Sequence, residues 1–365
     1  MQIPTRAEVI GAARQRGDRI AGVLPIHYPR ALLRAHGAQP IEIWAPPRQD
    51  PTAGNALFQA YACAVVRHGA ALLLDGPGRD VDLVLVPHTC DALQGLGSVL
   101  LDFVRPPQPV LTLYHPRGRR PADRSFLERE LRRLGERLAE ITGRHPADAD
   151  LHAALDTEED ANDRLARLFR HRDIVSLSDR EFYALVRSRE FLPAETFIEL
   201  ADAALPHEDA GTRAVPHDDR PRVRLMLSGI VPEPMSIFDA IDAMGARIVA
   251  DDLACGSRRL YQRTRGADPY LRLAASLMSG PPDPTLGAPI AERADHLTRR
   301  MRESGARGLL VYDVKFCEPE LFDLPQLRQH LSAHQLQMLH VEFEPAATIA
   351  QQTLNRIEAF VEMLQ

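Results

Sequence analysis

Residues 308–319 read Gly308-Leu309-Leu310-Val311-Tyr312-Asp313-Val314-Lys315-Phe316-Cys317-Glu318-Pro319. The first seven are mostly apolar and rich in strand formers, too short a run for a helix, and they read as a buried strand. The strand runs straight into a cysteine. Asp82-Leu83-Val84-Leu85-Val86-Pro87 does the same, leading into His88-Thr89-Cys90-Asp91, and Arg247-Ile248-Val249-Ala250-Asp251-Asp252 leads to Cys255. Helical patterns separate these strands, so the chain is expected to be α/β with open, mostly parallel sheets. In such sheets ligands bind in the crevice beyond the carboxyl ends of the strands. Three of the four cysteines fall there.

The rest of the chain fits around these strands. Pro29–Gly37 reads as a short helix opened by proline and closed by glycine. Residues 40–44 read as a strand, 55–73 as a helix that carries Cys63, and Val110–Tyr114 as another strand. From 123 to 205 the pattern is helical. Leu127, Leu131, Leu134, Leu138 and Ile141 recur on one helix face, and Ser178-Asp179-Arg180-Glu181 forms a capping box. Residues 206–221, with three prolines, read as a linker. Beyond it come strands at 222–229, 247–252, 308–314 and 337–343, with helices at 235–244, 290–304, 325–334 and 347–364. The expected organisation is an N-terminal α/β domain 1–122, a helical segment 123–205, the linker 206–221 and a C-terminal α/β domain 222–365. Both α/β parts are expected to be Rossmann-like, of the flavodoxin-like open type.

Composition removes several functions. The net charge of the 365 residues is −6, whereas a general nucleic-acid binder is basic. Of 44 basic residues only Lys315 is lysine, so a phosphate-binding loop of the G-x-x-x-x-G-K-[ST] type is excluded. The N-terminus lacks the apolar run of a secretory signal, and no stretch approaches eighteen apolar residues, so no membrane span is expected. A cytoplasmic setting follows, in which thiols stay reduced. The cysteines at 63, 90, 255 and 317 form no C-x-x-C pair. Small buried hydrophobes are one reading of them. Their position past strand ends favours thiolate ligands to a soft metal, and the wide spacing fits an iron–sulfur cluster between two domains.

The segments Val86-Pro87-His88-Thr89-Cys90-Asp91, Asp251-Asp252-Leu253-Ala254-Cys255-Gly256-Ser257-Arg258 and Val314-Lys315-Phe316-Cys317-Glu318-Pro319 resemble those of the 2-hydroxyacyl-CoA dehydratase and benzoyl-CoA reductase family. The C-terminal Gln352-Thr353-Leu354-Asn355-Arg356-Ile357-Glu358-Ala359-Phe360 is similar to that family's final helix, and Tyr28–Gly37 is a fainter match. The order of these motifs holds from about residue 25 to 364. The resemblance implies a [4Fe–4S] cluster held by three cysteines, here Cys63, Cys90 and Cys317, with Cys255 a thiol near the site. It implies an acyl-CoA substrate, a paralogous second subunit or a homodimer, and a separate ATP-hydrolysing iron–sulfur activator. In that chemistry one strongly reducing electron makes the thioester a ketyl radical anion, which expels the hydroxyl and acidifies the β-position; benzoyl-CoA reductases use a similar electron on the ring. The missing phosphate-binding loop fits the recipient of the electron rather than the ATPase.

Two departures matter. The family's Pro-x-Glu places glutamate where this chain has Ala31, and some members carry cysteine near Asp283. Beside the cysteines, Arg258 and Arg259 read as CoA-phosphate contacts or as salt bridges, and His88 as a site hydrogen-bond donor or a surface residue. Asp91 reads as a helix cap, Glu318 as an acid/base or a cap, and Lys315 as a charge on the same side as Cys317. Two other functions stay open: an electron-transfer or assembly subunit that binds the cluster but no thioester, and a zinc-binding or metal-free α/β protein.

Overall fold

The structure, a computed structural model, describes residues 2–24, 26–43, 50–206, 222–345 and 348–365. All but the first residue of the expected linker 206–221 lies outside these residues, as does Trp44 of the expected strand 40–44.

Two four-stranded sheets organise the chain. The first contains β1 (Arg19–Val23), β2 (Ala38–Glu42), β3 (Leu83–His88) and β4 (Val110–Tyr114), in the order β2-β1-β3-β4. The second contains β5 (Val223–Gly229), β6 (Ala246–Leu253), β7 (Gly308–Val314) and β8 (Gln337–Phe343), in the order β6-β5-β7-β8. Every pairing is parallel. The same winding therefore occurs twice, and the expected pair of Rossmann-like parallel-sheet domains is borne out. Each sheet reverses its strand order between its first and third strands, which opens a crevice at their carboxyl ends.

Alternation along the strands sets the layers. Ala21, Val23, Leu83, Leu85, Leu111 and Leu113 face one core with the helix Pro121–Thr142. Its stripe of Leu127, Leu131, Leu134 and Leu138 is buried as the spacing predicts. Ile20, Val84 and Val86 face the opposite way, into a larger core that continues through the helix Asp179–Ser188 to Leu225, Leu227, Leu310, Tyr312 and Val314 of the second sheet. Burying each such side chain contributes roughly 1.5–3 kcal/mol. The Ser178 hydroxyl accepts from the Glu181 N–H, completing the capping box.

Packing crosses the sequence divisions. The helix Pro269–Leu277, opened by Asp268 as N-cap and Pro269 at its first position, lies after β6 but packs Leu273, Ala274 and Leu277 into the core of the first sheet. No described helix is long and apolar enough to cross a membrane.

A buried ion network braces the second sheet. Arg258 has no exposed side-chain surface. It donates to Asp252 at the end of β6 (3.1 and 2.8 Å) and to Glu320 (2.5 Å). Arg293 donates to the other Glu320 oxygen (2.5 Å) and to Asp252 (3.2 Å). Arg259 donates to Glu190 and to the Ala254 carbonyl. Arg258 is engaged by carboxylates throughout, and Arg259 pairs with Glu190 while its Nη2 is buried without a partner, so both form salt bridges inside the protein. Removing one member of a buried network leaves its partner charged and unpaired. Arg258→Ala is expected to lower the unfolding free energy by roughly 3–5 kcal/mol in urea titrations; a loss below about 1 kcal/mol would show the network to be dispensable.

Candidate metal centre

Cys90 ends the loop after β3, and Cys317 the loop after β7. These are the equivalent strands of the two sheets, so the two thiols approach the crevice from opposite domains. Cys63 joins them, but not from within a helix as its sequence context predicts. The helix there is Ala64–Asp75, and Cys63 is its N-cap. Cys90 caps Asp91–Ser98, and Cys317 caps Glu318–Ala333. All three sulfurs thus sit where a helix presents unpaired backbone N–H groups and the positive end of its dipole.

The three cysteines line one cavity of about 360 Å³. Phe316, also in its wall, adopts a left-handed backbone (φ 63°), a conformation costly for a non-glycine residue. It turns the chain sharply out of β7, and the Cys317 N–H closes the turn on the Val314 carbonyl at 3.0 Å. The Ala64 N–H donates to the Lys315 carbonyl at 3.3 Å, tying the Cys63 loop to the Cys317 loop across the crevice. Arg67 adds to this tie by donating to Ala62 O (3.0 Å), Asn55 Oδ1 (2.7 Å) and Glu344 (3.2 Å).

The thiols are electrostatically unlike. Hydrogen bonding from Cys317 lowers the Cys63 thiol below its ordinary pKa, against the effect of burial. The same contact and burial hold Cys317 well above its own. Burial pushes Cys90 up to about 12, opposed by the N–H groups of Leu93 and Ala92. Cys255 stands apart: it is outside this cavity, packed in the large core, and burial pushes it up to about 12.

No group of three or more described Cys, His, Asp or Glu residues is arranged to hold a single metal ion. A zinc site needs its ligands within about 2.3 Å of one centre. Three thiols from two domains, each at a helix N-terminus, fit an anionic cluster in both chemistry and charge.

The neighbouring residues divide. Asp91 and Glu318 line the cavity, but the capping role expected of Asp91 belongs to Cys90, leaving Asp91 in the first helical turn. Lys315 lies outside it and pairs with Glu344 at 3.6 Å, because the turn at Phe316 breaks the strand alternation that would have put it beside Cys317. His88 packs its ring edge against Tyr114, away from the thiols. Ala31 is a buried core residue. Sequence reasoning missed Arg117 in the cavity wall, and Tyr61 and Phe322, which are 64% and 75% exposed beside it. Tyr61 and Arg117 come from loops and Phe322 from the helix Glu318–Ala333, so no shared local pattern marks them.

A sequence model of the family described as "2-hydroxyglutaryl-CoA dehydratase, D-component" matches residues 25–364. The chain is 26% identical over 361 residues to (R)-2-hydroxyglutaryl-CoA dehydratase subunit beta of Acidaminococcus fermentans, covering 96% of this chain and 94% of the relative. It is 24% identical to lactoyl-CoA dehydratase subunit beta of Anaerotignum propionicum, over 96% and 93% of the two chains. It is 23% identical to one of the subunits of benzoyl-CoA reductase from Thauera aromatica, over 89% and 85%.

Behind Cys317, Asp313 is fully buried, and neither carboxylate oxygen has a well-formed hydrogen bond; His340 Nε2 is 3.4 Å away. Burial pushes its carboxyl up to about 7. The native state therefore holds a proton that the unfolded chain releases near pH 4, so this contribution to stability is full in acid and lost as pH rises through 7. For cluster-free protein, wild type should lose roughly 2–3 kcal/mol relative to Asp313→Asn between pH 5 and 8, and little more above. Urea midpoints across that range measure it; parallel curves would contradict the assignment.

Proposed function

Because the chain belongs to the 2-hydroxyglutaryl-CoA dehydratase D-component family, we propose that it is the iron–sulfur subunit of an enzyme that dehydrates a 2-hydroxyacyl-CoA. Its nearest alternative within the family is reduction of an aromatic acyl-CoA. The observation that carries the reading is the convergence of Cys63, Cys90 and Cys317 on one interdomain cavity, each at a helix N-terminus.

On this reading the three thiolates hold a [4Fe–4S] cluster. Bound there, it would supply low-potential one-electron transfer, with one iron free of a cysteine ligand. The chain's own residues prepare for that load. Three thiolates gather negative charge in a buried place, and three helix N-termini offset it, each by roughly 0.3–1 kcal/mol or more where partly buried. Cys63 is shifted toward the thiolate by its hydrogen bond with Cys317, while Cys90 and Cys317 are shifted toward the thiol, so binding a metal would release protons and be favoured by higher pH. Arg67 and the Ala64–Lys315 bond hold the sulfurs of the two domains in register.

Within this reading the electron comes from an ATP-hydrolysing iron–sulfur activator. The absence of a phosphate-loop lysine in this chain supports that division of labour. Each of these relatives is named as one subunit of its enzyme, which supports a paralogous partner, with a homodimer as the other arrangement. A protein that keeps the cluster but binds no thioester is the competing reading.

Anoxic purification should yield about four iron and four sulfide per chain. Cys63→Ser, Cys90→Ser and Cys317→Ser should each lose most of the iron, while Cys255→Ser keeps it, with circular dichroism confirming that every variant folds. Iron retained in Cys317→Ser and lost in Cys255→Ser would refute the ligand set.

A further inference from the structure

The wall of the cysteine cavity carries a second pattern that holding a metal does not explain. Aromatic residues make up 5% of the chain, yet three of them, Tyr61, Phe316 and Phe322, line this one cavity. Each is tied to a cysteine. Tyr61 precedes Cys63 by two residues, Phe316 adjoins Cys317, and Phe322 belongs to the helix that Cys317 caps. The first domain thus supplies one ring and the second domain two. None of the three belongs to a hydrophobic core of the described residues. Tyr61 and Phe322 are strongly exposed, and among the described large apolar side chains only Phe103 is more exposed than Phe322. Phe316 holds its ring in the wall from a left-handed backbone (φ 63°). Glycine would make the same turn without strain. The ring is the part that glycine lacks, and strain kept at such a place points to a use for it.

The charges in the same wall are unbalanced. Asp91, Glu318 and Asp323 stand against Arg117 alone. Arg117 already faces Asp91 at 3.7 Å, while Asp323 accepts from Arg293 at 2.9 Å. Thiolates at Cys63, Cys90 and Cys317 would add to the negative side. A carboxylate entering this cavity would give up water and meet more acids than bases. An uncharged ring would instead find aromatic faces and edges, with which it packs favourably. Small apolar residues, Ala62, Ala92 and Ala288, leave room between the rings.

We propose that this cavity selects a thioester whose acyl group carries an uncharged aromatic ring, packed against Tyr61, Phe316 and Phe322, and that it disfavours an acyl group ending in a carboxylate. The inference rests on the thioester reading given above. It makes the three rings specificity-determining residues of this subunit.

Calorimetry on the anoxic, iron-loaded chain tests this with phenyllactyl-CoA, lactoyl-CoA and 2-hydroxyglutaryl-CoA, which share CoA and the 2-hydroxyl and differ in the acyl end. Wild type should bind phenyllactyl-CoA roughly tenfold or more tightly than lactoyl-CoA, the effect of burying one ring, and 2-hydroxyglutaryl-CoA most weakly. Phe322→Ala should narrow the phenyllactyl preference roughly two- to tenfold, the loss of one aromatic partner, with lactoyl-CoA binding and iron content unchanged. Phe322→Tyr, which keeps a ring, should retain the preference. Equal weakening of free CoA and all three thioesters in Phe322→Ala would place the rings against the adenine base and overturn the acyl assignment. No phenyllactyl preference in wild type, tightest binding of 2-hydroxyglutaryl-CoA, or a preference undiminished in both Phe322→Ala and Tyr61→Ala also overturns it, and leaves the thioester reading standing. Failure of every thioester to bind wild type overturns the inference together with that reading, in favour of a protein that binds only the cluster.

Discussion

Three helix N-termini converging on one crevice are the constraint on which the rest of the arrangement depends. Each brings unpaired N–H groups and a partial positive charge to the same buried place, where water cannot freely satisfy them. A thiolate at each N-cap is the complementary group, and three thiolates from two domains are in turn hard to keep together without a cation-rich partner. On the proposed function, helix ends and thiolates would both complement a cation-rich cluster, so the proposal draws on this shared geometry rather than on any one residue. The duplicated winding makes the convergence possible: β3 and β7 occupy the same place in their sheets and deliver Cys90 and Cys317 face to face.

The surroundings then act to keep the two domains at one separation. The Ala64–Lys315 backbone bond spans the crevice, and Arg67 reaches from the Cys63 loop to Glu344 beyond β8. Arg258 locks the end of β6 to Glu320, one turn into the helix capped by Cys317. A buried network of this kind is weak evidence for stability in itself, since hydrophobic replacements often do as well. Its consequence here is positional: the helix that carries Cys317 is fixed to the second sheet independently of any ligand.

Much of this was legible in the sequence because it follows local rules. Strands buried on both faces are continuous apolar runs, and β3 and β7 were read with bounds within a residue of those observed. The leucine stripe at 127–138 and the Ser178–Glu181 box encode their structure within a few residues. What was not legible depends on tertiary context. β1, Arg19-Ile20-Ala21-Gly22-Val23, is short and carries a glycine, and it becomes a strand by pairing on both sides with β2 and β3. Cys63 looked helical because good helix formers continue across it, yet the break at its N-cap is set by the interdomain bond of Ala64. Arg258 gave no sign of burial, since its partners lie at 252 and 320 and reach it only in the folded chain.

Anomalous scattering at the iron edge from anoxically grown crystals would show whether Cys63, Cys90 and Cys317 together hold one iron–sulfur cluster. A single compact group of iron peaks is expected in the cavity, bonded to these three sulfurs, with none at Cys255. Iron bonded to Cys255, or one isolated metal ion in place of a cluster, would contradict it.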